Sequence, residues 1–284
     1  MKVTALIENT TPDQGLRCEH GLALCIVHRG WNCLLDAGAS AALLENAPKL
    51  GVDLTQVQAA VLSHGHYDHS GGFPAFLSCN TTAPVYLRPQ AAEANYQVRR
   101  DGERRYLGVP PALLAAKDRL RFVTGPTELH PGVWLLPHTT PGLEKQGEKV
   151  AMYRQGPDGL RPDDFAHEQT LVFLYGAEMA LFSSCSHAGA DTVVAEAMAA
   201  FPGKAVRAFF GGFHLMGAGG AGTLGVRPEK AQALGRRLLE LGVEEIWTGH
   251  CTGKPAFDLL TPILGSRLHY LATGTVVRLW EDGK

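Results

Sequence analysis

The stretch VLSHGHYDHSGG, residues 61 to 72, constrains this chain more than any other, because three histidines and an aspartate fall within six positions directly after an apolar run. At a strand end, side chains two apart point to the same side, so His64 and His66 can converge on one ion. The chain must then turn into a following helix, and Asp68 and His69 sit on that turn. Gly65, Gly71 and Gly72 are expected to permit the tight backbone of such a turn. Four ligand-type side chains on one strand-loop-helix junction suit one ion or two adjacent ions. A tetrahedral zinc takes about four ligands and a pair of ions more, so this loop alone is an incomplete site. His187 follows LFSSCS and His250 follows EEIWTG. Each stands just past an apolar strand, where α/β folds gather ligands and catalytic groups.

The rest of the chain reads as strands first and a strand-helix alternation later. VTALIEN, GLALCIVHRG and NCLLDAG are short β-rich runs bounded by turn residues. SAALLENAPKL has helical apolar spacing with Ser40 as a cap, AAVLSH reads as a buried strand, and GGFPAFLSC as the next helix. Strands are expected at VWLLPH, TLVFLYG, MALFSSC, AVRAFFGG, EEIWTGH and GTVVRLW, and helices at DTVVAEAMAAF, PEKAQALGRRLLELG and PAFDLLTPILG. That order suggests sheets covered by helices on their outer faces. No repeat, low-complexity tract or polar linker interrupts it, so a single domain over residues 1–284 is the simpler reading. Residues 88–121 differ, carrying Arg88, Arg99, Arg100, Arg104 and Arg105; they read as a helical or irregular insertion near the active-site edge.

These segments carry a resemblance. SHGHYDH resembles the HxHxDH signature of the metallo-β-lactamase superfamily, and LLDAG, with Asp36, resembles its preceding aspartate motif. EHGLALCI, SHGHYDHSGG, SCSHAG, GGFHL and GHCTG, in this order, resemble the dihydropteroate-synthase-like branch, from about residue 3 to the C-terminus. The resemblance implies an α/β fold, the four-layer αββα sandwich of the superfamily, with a metal site along one edge between the sheets. It assigns His64, His66, Asp68, His69, His187 and His250 as metal ligands and makes Asp36 a buried group that orients the histidine loop. One departure matters: most members supply a bridging aspartate at a strand end, where this chain has Cys185. His187 is read as the ligand there and Cys185 as a lesser candidate. His138, in LLPHTTPG, matches the HTPG motif of other branches and competes with SCSHAG for that place.

The expected cofactor is one or two zinc ions, with manganese or iron as alternatives. Six histidine or aspartate ligands leave such a centre positive, which favours a small anionic substrate, most simply a phosphate-bearing one. His214, ending AVRAFFGGFH, is expected as a general acid or a hydrogen-bond donor to substrate, and Asp68 as the other catalytic residue. The glycine loop MGAGGAGTLG, leading to Pro228, offers backbone amides for a phosphate. The leading reading is a hydrolase using metal-activated water. The alternative is a transferase joining a dihydropterin methyl diphosphate to an aminobenzene ribofuranosyl phosphate; an iron redox enzyme and a non-catalytic metal- or ligand-binding protein rank lower. A net charge of -2 gives no general reason to bind nucleic acid or an anionic membrane. The absence of a signal pattern or apolar span points to the cytoplasm. Six cysteines without a CxxC pair read as reduced thiols, and nothing in the sequence specifies an oligomer.

Overall fold

The computed structural model describes residues 1–99, 101–156, 158–220 and 222–280, so Arg100 and Ala221 lie outside the described residues. The chain forms two compact units. One is assembled from residues 1–124, 142–168 and 272–284, the other from 125–141 and 169–271.

In the first unit, the runs expected as a meander pair antiparallel. Lys2–Ile7 lies between Val276–Arg278 and Ala23–His28, and Ala23–His28 pairs in turn with Trp31–Leu35. From Trp31–Leu35 onward the neighbours are parallel: Ala59–Val61, Val85–Leu87 and Leu120–Phe122. Parallel strands need crossovers, and helices Ala42–Lys49 and Phe73–Cys79 supply them. Their apolar faces, Leu43, Ala47, Phe73 and Phe76, are buried in one core with Leu34, Leu62 and Val85. Ser40 sits one residue before the first helix's cap position and accepts from the Ala42 amide at 3.1 Å.

The glycines after the histidine loop act by their bareness rather than by unusual torsions. Gly71 and Gly72 have φ of -62° and -82°, which any residue adopts. A Cβ on Gly71 would lie 2.0 Å from the Ala39 carbonyl oxygen, and one on Gly72 2.0 Å from that of Ala37. The aspartate-motif turn and the histidine loop are pressed together backbone to backbone.

Residues 88–121, expected as helical or irregular, contain a 3-10 turn at Pro89–Ala92 and a short helix at Pro111–Ala115. They also supply two strands, Asn95–Val98 and Arg104–Tyr106, to a second, four-stranded sheet completed by Met152–Gly156 and Gly159–Pro162. Asn95–Val98 pairs locally with Arg104–Tyr106, but its other neighbour comes from Met152 onward, beyond the reach of a local pattern. Arg88 is drawn inward, its guanidinium donating to the carbonyls of Ala166 and Val123.

The second unit holds the order Leu268–Tyr270, Glu245–Thr248, Ala205–Phe210, Glu178–Phe182, Gln169–Tyr175, Val133–Pro137 and Thr127–His130. The first four are mutually parallel and the rest antiparallel. Helices Ala190–Ala200, Pro228–Glu240 and Lys254–Leu264 bury Val193, Ala231 and Leu260 against Leu181, Phe209 and Ile246. Among the described residues no helix is long and apolar enough to cross a membrane.

Candidate metal centre

In the first unit, the two loops that leave the parallel neighbours Trp31–Leu35 and Ala59–Val61 meet at one carboxylate. Asp36, fully buried, accepts from the Ser63 amide at 2.7 Å through Oδ1. Its Oδ2 accepts from Ser63 Oγ at 2.7 Å and from His69 Nδ1 at 2.7 Å. Ser63 Oγ also lies 2.8 Å from His64 Nδ1. The hydroxyl has one proton and gives it to Asp36, so toward His64 it acts as acceptor of Nδ1–H. One carboxylate thereby sets two tautomers, leaving the ring lone pair of both His64 and His69 on Nε2. Donor atoms of Asp36, His64 and His69 all lie within 4.8 Å of one another. Such carboxylate-histidine links fix ring orientation and raise ligand basicity in metal sites.

Asp68 and His69 lie in a four-residue helix, Tyr67–Ser70, which His66 precedes in extended conformation. Asp68 Oδ2 stands 3.5 Å from His69 Nε2 and 3.3 Å from His20 Nε2. The rings of His64 and His66 pack edge to face with centroids 4.6 Å apart. Burial, followed by the neighbouring His167, pushes the His66 imidazole down to about 3. It is therefore neutral at physiological pH, the form that binds a metal.

His167 was not anticipated. It lies in DDFAHEQ, before an apolar strand rather than after one, so a search of strand ends passes over it. Its ring is 5.1 Å from that of His66, fully buried, with Nε2 2.8 Å from Asp163 Oδ2. Burial opposes a charged Asp163, but His167 outweighs it and holds the carboxyl below its ordinary value. Asp163 and His167 thus form a buried hydrogen-bonded pair.

In the second unit, His187, His214 and His250 each follow one of three adjacent parallel strands, Glu178–Phe182, Ala205–Phe210 and Glu245–Thr248. Backbone bonds knit these loops, from Gly212 to Ser184 at 2.8 Å and from Leu215 to Cys251 at 3.0 Å. The rings of His187 and His214 are 4.3 Å apart. Asp36, Ser186, His214 and His250 all hold positive φ, between 49° and 58°. Such torsions cost free energy in non-glycine residues and persist where surrounding contacts over-determine them. Cys185 is buried, and its carbonyl lies 3.7 Å from Cys251 Sγ. Burial would raise the Cys251 thiol, yet hydrogen bonding with Cys185 and His214 and the charge of His250 bring it well below the ordinary range.

Two further expected features engage neighbouring groups. Within the glycine loop Gly217 donates to Thr223, Thr223 to Gly220, and Gly225 to Leu215. Those amides are not presented to a phosphate. His138 Nδ1 is 2.7 Å from Glu196 Oε2, while Glu196 Oε1 accepts from the Thr139 and Thr140 amides at 2.7 Å each. Burial opposes its ionisation, but the His138 hydrogen bond and charge more than offset this and hold the Glu196 carboxyl at about 2 rather than 4.5. A depressed folded value stabilises the protein above the ordinary carboxylate range, and that contribution disappears as pH falls from about 4.5 towards 2. Urea titrations should therefore find wild type losing more stability than Glu196→Gln between pH 5 and pH 3. Parallel losses would contradict this role.

The donor chemistry fits a divalent ion. The first unit offers two imidazoles turned to Nε2, a neutral third and a carboxylate. The second offers His187 and, beside it, His214 Nδ1, which is buried and has no hydrogen-bond partner among the described residues.

Residues 17–152 match the family model described as Metallo-beta-lactamase superfamily. The chain is 24% identical over 247 residues to the 7,8-dihydropterin-6-methyl-4-(beta-D-ribofuranosyl)-aminobenzene-5'-phosphate synthase of Methanocaldococcus jannaschii, covering 83% of this chain and 80% of that protein. Among solved structures it is similar to a metal-dependent hydrolase of the beta-lactamase superfamily, with a TM-score of 0.82 and 26% identity over 99% of this chain and 100% of the other. It shares the fold of Zn(2+)-bound PqqB from Methylobacterium extorquens, with a TM-score of 0.61 and 12% identity over 98% and 100% of the two chains.

Proposed function

We propose, for a chain that belongs to the metallo-β-lactamase superfamily, that it is a metal-dependent hydrolase of a small anionic, phosphate-bearing molecule. His64, His66, Asp68, His69, His187 and His250 are its ligands, for one or two ions of zinc or, alternatively, of manganese or iron. The observation that carries the reading is the Asp36 carboxylate, which sets the tautomers of His64 and His69 through Ser63 Oγ and His69 Nδ1. Two imidazole lone pairs fixed on Nε2 by one buried carboxylate are what a metal ion can use.

A divalent ion in such a set supplies Lewis acidity toward a phosphoryl or carbonyl oxygen and lowers the pKa of a bound water towards neutrality. The protein's own groups do the remainder. Asp68, next to His69 Nε2 and His20 Nε2, can hold a proton at Oδ2 during the reaction. His214, its ring 4.3 Å from that of His187, can protonate a leaving oxygen. Arg105, from the small sheet, reaches Tyr67 inside the histidine loop: its guanidinium donates to Tyr67 Oη at 2.8 Å and lies 5.6 Å from the ring centroid. Among the described residues no carboxylate is paired with it, so its charge is available to an anionic group of the substrate.

Turnover of phosphomonoesters and phosphodiesters by the purified protein should be lost on chelation and restored by zinc. Protein that neither contains nor takes up metal would overturn the reading. Arg105→Ala should raise KM for an anionic substrate about tenfold with kcat little changed, equivalent to roughly 1.4 kcal/mol, and leave a neutral ester unaffected. Equal KM values for wild type and variant on the anionic substrate would remove Arg105 from the site.

A second reading, a transferase, is favoured by the likeness to the methanogen synthase. It requires release of diphosphate from a dihydropterin methyl diphosphate only when the aminobenzene ribofuranosyl phosphate is present. Release in water alone supports the hydrolase.

A further inference from the structure

The loop that carries His64 and His66 is gripped at the residue between them. The Gly65 amide donates to His167 Nδ1 at 3.1 Å, and the Gly65 carbonyl accepts from Asn95 Nδ2 at 3.1 Å. Both partners are buried, His167 completely and Asn95 with 1% exposure. Each is itself held. His167 Nε2 is 2.8 Å from Asp163 Oδ2, and Asp163 Oδ1 accepts from the Phe165 amide at 2.8 Å. The Asn95 carbonyl accepts from Leu107, whose own carbonyl accepts from Tyr67 at 2.7 Å. The peptide between the two histidines and the residue after them are thus bolted to the small sheet and the 163–167 turn. Gly65 fits this grip because it has no side chain: a Cβ there would lie 2.9 Å from Ala91 Cα and 3.0 Å from Asn95 Nδ2.

Donor atoms of His66, Asp163 and His167 lie within 4.8 Å of one another, which is close enough to suggest a metal of their own. The hydrogen bonds argue otherwise. Nδ1 of His167 must keep its lone pair to accept from Gly65, so the ring proton is on Nε2 and goes to Asp163. Neither nitrogen is left to ligate. His167 acts on a neighbouring ion only through the backbone it holds.

We propose that His167, oriented by Asp163, and Asn95 are positioning residues that clamp the Gly65 peptide and so set the separation and aim of the His64 and His66 imidazoles. The inference rests on the functional reading above, in which those two histidines ligate metal. Asp36 fixes the loop from one side through side chains; this clamp fixes it from the other through the main chain. Groups that orient ligands in this way typically change metal affinity by about 10–100-fold when removed.

Cobalt(II) titration of the full chain, read by its visible absorption, tests the clamp without relying on turnover. His167→Leu should bind cobalt about 10–100-fold more weakly, with altered bands, while circular dichroism remains that of wild type. His167→Asn, which keeps an acceptor near the place of Nδ1, should recover part of the loss. Asn95→Leu releases the other end of the peptide and carries the test should His167→Leu not fold. Wild-type affinity and bands in a folded His167→Leu or Asn95→Leu would overturn the clamp and leave the functional reading standing. A wild-type protein that binds no cobalt and no zinc would overturn both.

Discussion

Replacing His66 by alanine is expected to lower turnover by more than about 100-fold, beyond the upper end of what changes to groups behind the ligands cost, and to lower metal content with it. The fold should survive. His66 follows the strand Ala59–Val61 at the start of a four-residue helix and is held neutral chiefly by burial, so its loss uncovers no ionic partner. Far-UV circular dichroism and thermal melting of the chelated protein should match wild type within a few degrees. Full turnover in this variant would sink the proposed mechanism, because no assignment of roles at this site leaves His66 idle.

Asp36→Ala should do the opposite and damage the fold before the chemistry can be read. Three buried donors, the Ser63 amide, the Ser63 hydroxyl and His69 Nδ1–H, share that carboxylate. Each buried group left unsatisfied costs about 1–3 kcal/mol. Together they would remove a large part of the roughly 5–15 kcal/mol typical of a folded domain. A fall in Tm of about 10 °C or more, or failure to fold, is expected. Asp36→Asn retains the shape and an acceptor, so it should fold yet bind zinc more weakly. An Asp36→Ala protein melting within two or three degrees of wild type would show that the network is idle.

The sequence reveals these residues to unequal degrees, for physical reasons. His64, His66, Asp68 and His69 are legible because their geometry is local: a strand end and the turn after it. His187 and His250 are legible because an apolar run and its end can be read from composition. His167 acts on Gly65 across 102 positions, and no periodicity in DDFAHEQ marks it. The strand Asn95–Val98 shares part of that reason, since one of its two ladder partners begins at Met152 and only Arg104–Tyr106 is near in sequence. The helices are readable from apolar spacing, whereas for the glycine loop composition says that amides exist and not where they point. No compositional boundary separates the two units because each is assembled from separated stretches of chain.

That interleaving has a consequence for biogenesis. Lys2–Ile7 is flanked on one side by Ala23–His28, available within moments of its synthesis, and on the other by Val276–Arg278. Until the ribosome has made that second neighbour, the first strand presents an open ladder edge, the kind of surface that recruits strands from other chains. A nascent chain stalled after residue 72 and before residue 276 would carry the whole histidine loop on a sheet still missing its border. Such species are the ones chaperones are needed to shield, and aggregation during expression should concentrate among products truncated before residue 276.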